Sequence, residues 1–180
     1  MPSRLGALPV WMVIALALAL ASCGADTTDP SSPPSSPAKI GERTKTSGCV
    51  SHNALPDSAC TPGAIIADAT KEQICTPGYS KNVRDVPTSV KNEVYREYGI
   101  ESHTTGEYEV DHLVSLELGG SNDIANLWPE PAEPRPGFHE KDKVENYMHD
   151  QVCSGAISLE QAQVKIASAW LTIYNSMPGK

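Results

Sequence analysis

The sequence predicts a small α+β domain, stapled by disulfides, with two short strands and a helix at its centre and a long C-terminal helix closing it. Three observations predict this. Between Tyr108 and Trp128 apolar residues alternate, stop at a glycine pair and resume, the pattern of two strands joined by a turn. Beyond Phe138 the apolar period becomes helical, in two successive segments. Four cysteines, Cys49, Cys60, Cys75 and Cys153, remain once Cys23 is set aside, an even count behind an export signal.

The chain has 180 residues, enough for one core after its N-terminal segments are removed. Residues 1–22 read as a signal peptide. Arg4 supplies the positive start, and Leu8 to Leu20 is an apolar run too short for a comfortable membrane span. The ending Leu20-Ala21-Ser22-Cys23 resembles a bacterial lipobox. That resemblance implies lipidation of Cys23, export, and anchoring to the cell-envelope membrane. An ordinary cleaved secretion signal is the alternative. Residues 23–47 are rich in Ser and Pro and nearly free of large apolar groups, so they read as a disordered tether. The folded domain is then 48–180, and no solenoid-type repeat interrupts it.

Within the domain, Gly48 to Val86 is loop-rich, with Asn82 to Val86 its best strand candidate. Thr88 or Ser89 can cap a helix reaching Tyr98, stopped by Gly99, with Val90, Val94 and Tyr98 on one face. Tyr108, Val110, His112, Val114 and Leu116 share one strand face; Glu107, Glu109, Asp111 and Ser115 share the other. Gly119 to Asp123 is a turn, and a second strand starts at Asn126 and stops at Pro129. A helix spans about Phe138 to Gln151. The last helix, Ser158 to Tyr174, opens with a Ser158–Gln161 capping box and carries the stripe Leu159, Ala162, Ile166, Ala169, Trp170, Ile173. The cysteines contain no Cys-x-x-Cys pair, which argues for two disulfides over structural zinc; three connectivities stay open.

Chemistry concentrates after Tyr108. At about 100° per residue, His139, Asp142, Asn146 and His149 gather on one polar side of the middle helix, flanked by Glu145, with Val144, Tyr147, Met148 and Val152 opposite. Such a face is either simply solvated or able to offer oxygen and nitrogen ligands to Mg²⁺, Mn²⁺ or Zn²⁺. His112 is suited to take a proton near neutral pH. His52 and His103 lie outside this pattern and read as surface residues.

The run from Asp111-His112, through Gly119-Gly120, to Asn126-Leu127 and the following helix resembles the HNH, or ββα-metal, nuclease family. The resemblance covers Tyr108 to about Cys153. It implies a ββα-metal core and metal-dependent hydrolysis of DNA or RNA. It implies His112 as general base, Asn126 as the residue orienting that base or its loop, and a divalent metal on Asp111. Asn146 and His149 are the helix candidates that would complete the metal site. The Pro-rich insert Glu130 to Gly137 departs from the family pattern and leaves that last ligand open. One conflict is visible on paper: Asp111 and His112 point to opposite faces of a regular strand. A net charge of −8 also argues against a nucleic-acid partner, although Lys71, Lys81, Arg84, Lys91 and Arg96 make the earlier half slightly basic. The alternative function is a non-catalytic envelope lipoprotein using this scaffold for structure or partner binding. No protein partner is specified by the sequence.

Overall fold

Ordered structure begins ahead of residue 48. In the computed structural model, which describes residues 38–180 except residue 53, Ala38–Lys39 (β1) pairs antiparallel with Ala64–Ile65 (β2). Arg43 donates from Nε to the Cys60 carbonyl at 2.9 Å and pairs with the buried Glu97 carboxylate. Lys45 reaches Asp57 at 2.9 Å. Residues 38–47, which composition places in the tether, are thus held by the domain. Residues 1–37, with the expected signal peptide and Cys23, lie outside the described residues.

Lys71–Ile74 (α1) is a single turn opened by the Thr70–Gln73 capping box. Tyr79–Val83 (α2) follows Gly78, whose φ of 85° turns the chain in a conformation open to glycine. The predicted strand at Asn82–Val86 does not form: its first two residues end α2. A β-prone pair makes a strand only beside a free edge, and Val86 instead packs against the Val94, Val110 and Leu127 cluster. Thr88–Glu97 (α3) starts directly after Pro87, with no side-chain cap, so neither Thr88 nor Ser89 caps it. Proline's fixed φ supplies the entry geometry that a capping hydroxyl would otherwise stabilise.

The alternating stretch becomes Tyr108–His112 (β3), paired antiparallel with Leu127–Pro131 (β4) from Tyr108↔Pro131 to His112↔Leu127. The first strand is shorter than the alternation suggests. Past His112 the chain bends, and Leu116–Leu118 forms a 3-10 turn with Leu116 and Leu118 buried. The second strand is longer than expected, running through Pro129. Pro129 and Pro131 are two residues apart, so both nitrogens face away from β3, and neither removes a donor from the ladder.

Phe138–Cys153 (α4) and Leu159–Ser176 (α5) pack together. Val144, Met148 and Val152 of α4 meet Ala162, Ile166 and Trp170 of α5 in one core that also takes in Ile74, Val114 and Leu118. The Ser158–Gln161 capping box opens α5 as the sequence predicts. Ala169, with φ −152° and ψ 26°, kinks the helix beside Trp170, whose Nε1 donates to the Ala54 carbonyl at 2.9 Å. Two disulfides pin the domain: Cys49–Cys60, and Cys75–Cys153 across 78 residues. Of the three connectivities open in sequence, this one joins α1 to the end of α4. Both bridges are compatible with an extracellular location. Among the described residues, no helix is long and apolar enough to cross a membrane.

Candidate functional site

The hairpin and α4 bring Asp111, His112 and Asn126 to one end of the fold, and each does something different. Strand β3 is regular through His112, so the two neighbours diverge as the pleat dictates. Asp111 shares a face with Glu109 and, across the ladder, with Trp128 and Glu130. His112 points the other way and is 2 % exposed.

His112 Nε2 lies 3.1 Å from Asn122 Oδ1. The Asn122 amide is turned by its own Nδ2, which donates to the Val83 carbonyl at 2.7 Å, leaving Oδ1 to face the ring. Nε2 therefore carries the proton, and Nδ1 keeps its lone pair. Nδ1 has no partner among the described residues and is not sealed from solvent. Burial pushes the imidazole down to about 4, against the upward pull of Asp111 and the Asn122 bond; Arg84 and Lys141 push it the same way as burial. The ring is neutral at any physiological pH.

Asn126 is wholly buried, and its carboxamide is used up by backbone. Oδ1 accepts from Val114 N at 2.9 Å and Ala64 N at 3.4 Å, while Nδ2 donates to Val114 O at 3.0 Å and Ser121 O at 2.9 Å. It clamps the loop after His112 onto β2. The clamp leaves no atom of the side chain to meet a substrate. Gly120 belongs to the same clamp: a Cβ there would sit 1.8 Å from the Val114 carbonyl oxygen.

The residue that sequence reasoning missed is Lys141. It is fully buried on α4, and its ammonium donates to Asp111 Oδ2 at 2.6 Å, to the His112 carbonyl at 2.8 Å, and to Glu145. All three of its protons are used. Ser115 Oγ donates to the other Glu145 oxygen at 2.9 Å. Lys141 stays charged, because Asp111, Glu145 and Glu130 outweigh the burial that would discharge it. Burial pushes Asp111 up, but the charge of Lys141 and bonds from Glu130 and Lys141 prevail, holding it below the usual carboxylate range. Burial raises Glu145 to about 7, against Lys141 and Ser115. Glu130 is wholly buried and no donor reaches either oxygen. Burial, with Asp111 beside it, holds Glu130 well above the carboxylate range, against the pull of Lys141. The signal for Lys141 was available: with Val144, Met148 and Val152 it follows the i, i+3, i+7, i+11 stripe of the buried face.

The expected metal set of Asp111, Asn146 and His149 is not assembled. Asn146 is exposed, turned about 140° around the helix from Lys141, and donates to the Asp142 carbonyl at 2.7 Å. His149 is about two turns further along and meets the Ile74 carbonyl at 3.1 Å. The separation follows from the rise of one continuous helix, and the Cys75–Cys153 bridge sets its far end against α1. Asp111 is already neutralised by Lys141. These residues do not fit a shared divalent ion.

His149 belongs to a different cluster. Its ligand atoms and those of Cys75 and Cys153 lie within 4.8 Å of one another, close enough to hold a metal ion. The two sulfurs are joined to each other, however, and a metal needs thiolates. Only the reduced chain would offer that ligand set. His52 and His103 are exposed, as the sequence suggests.

Beside β3 lies a cleft of about 230 Å³ lined by Arg84, Val86, Lys91, Tyr95, Tyr108, Glu109 and Val110. It places two cations and two phenol rings next to the strand that carries His112. No protein family, curated protein or solved structure matches this chain.

Proposed function

We propose that this chain is an exported, HNH-like phosphodiesterase acting on DNA or RNA, with His112 as its general base. The observation that carries the reading is the fixed tautomer of His112. Asn122 holds the protonated Nε2, so Nδ1 is the nitrogen left to take a proton from an attacking water. A pKa near 4 keeps the base free at all working pH values, at the cost of basicity. Arg84, close enough to influence His112, and Lys91 supply phosphate contacts in the adjoining cleft, and Tyr95 and Tyr108 offer faces on which bases stack. Asp111, Asn146 and His149 do not come together as a divalent-metal site, so His112 acts without one there. The setting we propose is the cell envelope, with a lipid anchor at Cys23; the mass of the membrane-extracted protein should show an acylated N-terminal cysteine, and an unmodified start elsewhere would refute it.

The alternative, a non-catalytic envelope scaffold, is favoured by the Lys141 ammonium closing Asp111 and by the net charge of −8. One assay separates the two. Plasmid DNA and RNA are incubated with the wild type and with His112→Ala, with and without chelator. A working base predicts a loss on the order of 10²–10⁴-fold in cleavage rate for the variant. Equal background cleavage by both proteins rejects the phosphodiesterase and leaves the scaffold.

A further inference from the structure

We infer that Lys141 is the resident cation of the hairpin–helix site: its ammonium takes the place a divalent ion would need at Asp111, and the native chain admits none there. This rests on the HNH-like reading of the hairpin and α4, but it concerns cation binding and not cleavage. Three carboxyl side chains surround one Nζ. Asp111 comes from β3 and Glu145 from α4, both in direct contact, and Glu130 comes from β4, on the same face of the hairpin as Asp111. The ammonium is wholly enclosed, and each of its protons is committed. A second cation at Asp111 would have to stand against this charge in a half-buried setting where water screens it only in part.

Glu130 is the second observation. It is wholly buried, has no hydrogen-bond partner on either oxygen, and stands on the same hairpin face as Asp111. A single ammonium needs no third carboxyl. The acidic capacity exceeds that of its occupant, and removing the lysine side chain leaves an oxygen-only pocket of the kind hard divalent ions prefer.

The test uses the full disulfide-bonded chain and Mn²⁺ alone, followed by the resonance of free Mn²⁺ and by thermal unfolding. The wild type should show no saturable uptake and no shift in midpoint at millimolar Mn²⁺. Lys141→Ala should take up one ion on the order of a hundredfold more tightly than wild type, and Mn²⁺ should raise its midpoint. Lys141→Met, which removes the charge but refills the space, should stay metal-free. Should Lys141→Ala fail to fold, Lys141→Ala/Glu145→Gln leaves one fewer unpaired charge and must still bind Mn²⁺ more tightly than wild type. Saturable uptake by the wild type that Asp111→Asn abolishes overturns the inference. So does a foldable lysine-to-alanine variant that binds no better than wild type. Cleavage is not read, so this result stands or falls apart from the proposed activity.

Discussion

The depressed pKa of His112 makes stability depend on pH with a definite sign. The perturbation is His112→Gln, which keeps a donor for Asn122 but has nothing to titrate. In the unfolded chain the imidazole titrates near 6.5, and in the folded chain near 4. Between those values the unfolded state binds a proton that the folded state excludes. The contribution is therefore complete above 6.5 and is lost as pH falls toward 4. Integrated over that window it is about 3 kcal/mol. Glu145 and Glu130 act in the opposite sense. Their folded forms hold protons above the ordinary carboxylate value, so Glu145 costs stability as pH rises from 4.5 toward 7, and Glu130 acts in the same direction. The wild-type profile is a difference of opposing slopes, and only wild type minus variant isolates the histidine. Urea unfolding, followed by fluorescence of the buried Trp128 and Trp170 with disulfides intact, measures it at intervals between pH 4 and 7. Stability should fall by about 3 kcal/mol more in the wild type than in His112→Gln on going from the top to the bottom of that window. A difference that stays constant with pH would show that His112 titrates alike in both states, and would refute the argument.

Two further predictions concern the frame around the site. Alkylation without reductant should find no free thiol among Cys49, Cys60, Cys75 and Cys153; any free pair refutes the bridges. On loop closure alone, removing Cys75–Cys153 should cost about 4–5 kcal/mol and removing Cys49–Cys60 about 3 kcal/mol, so paired serine variants should unfold in that order of urea midpoint. Asn126→Ala leaves the Val114 and Ser121 backbone groups without partners, on the order of 1–3 kcal/mol for each buried one. Amide exchange should quicken first at Val114 and Ala64, and unchanged protection there would show that the clamp is not what holds the loop.

Legibility in the sequence tracked how local the physics was. Helix α5 could be read because its capping box and apolar stripe lie within its own residues. The hairpin could be read because alternation and a glycine pair are local too. Its far limit could not, since Pro129 is barred from a strand only if its nitrogen faces a partner. Asn82–Val86 was misread because a strand depends on an edge elsewhere in the chain. The polar face of α4 was sorted correctly by angle, but angle does not say how far along the helix the partners lie. His149 meets Ile74 because one disulfide of several conceivable ones brings α1 there. Lys141 was passed over because a lysine reads as solvent-facing, although its position on the buried stripe marked it as a charge with partners waiting. Asp111, His112 and Asn126 stand out in the sequence by residue type and spacing. Two of their environments, an ion pair and a sealed backbone clamp, were not visible in the residues themselves.

The bridge between Cys75 and Cys153 also decides what a protease can do to this protein. It closes a covalent ring containing α2, α3, the whole hairpin and nearly all of α4. The exposed run from Glu101 to Glu107 lies inside that ring and is its natural point of attack. One cut there opens the ring and releases nothing: the nicked protein gains a single water and becomes two chains joined through sulfur. Outside a cell, where proteases are common and reductants scarce, a first cleavage leaves the hairpin and α4 tethered together, and damage becomes separation only on a second cut or on reduction.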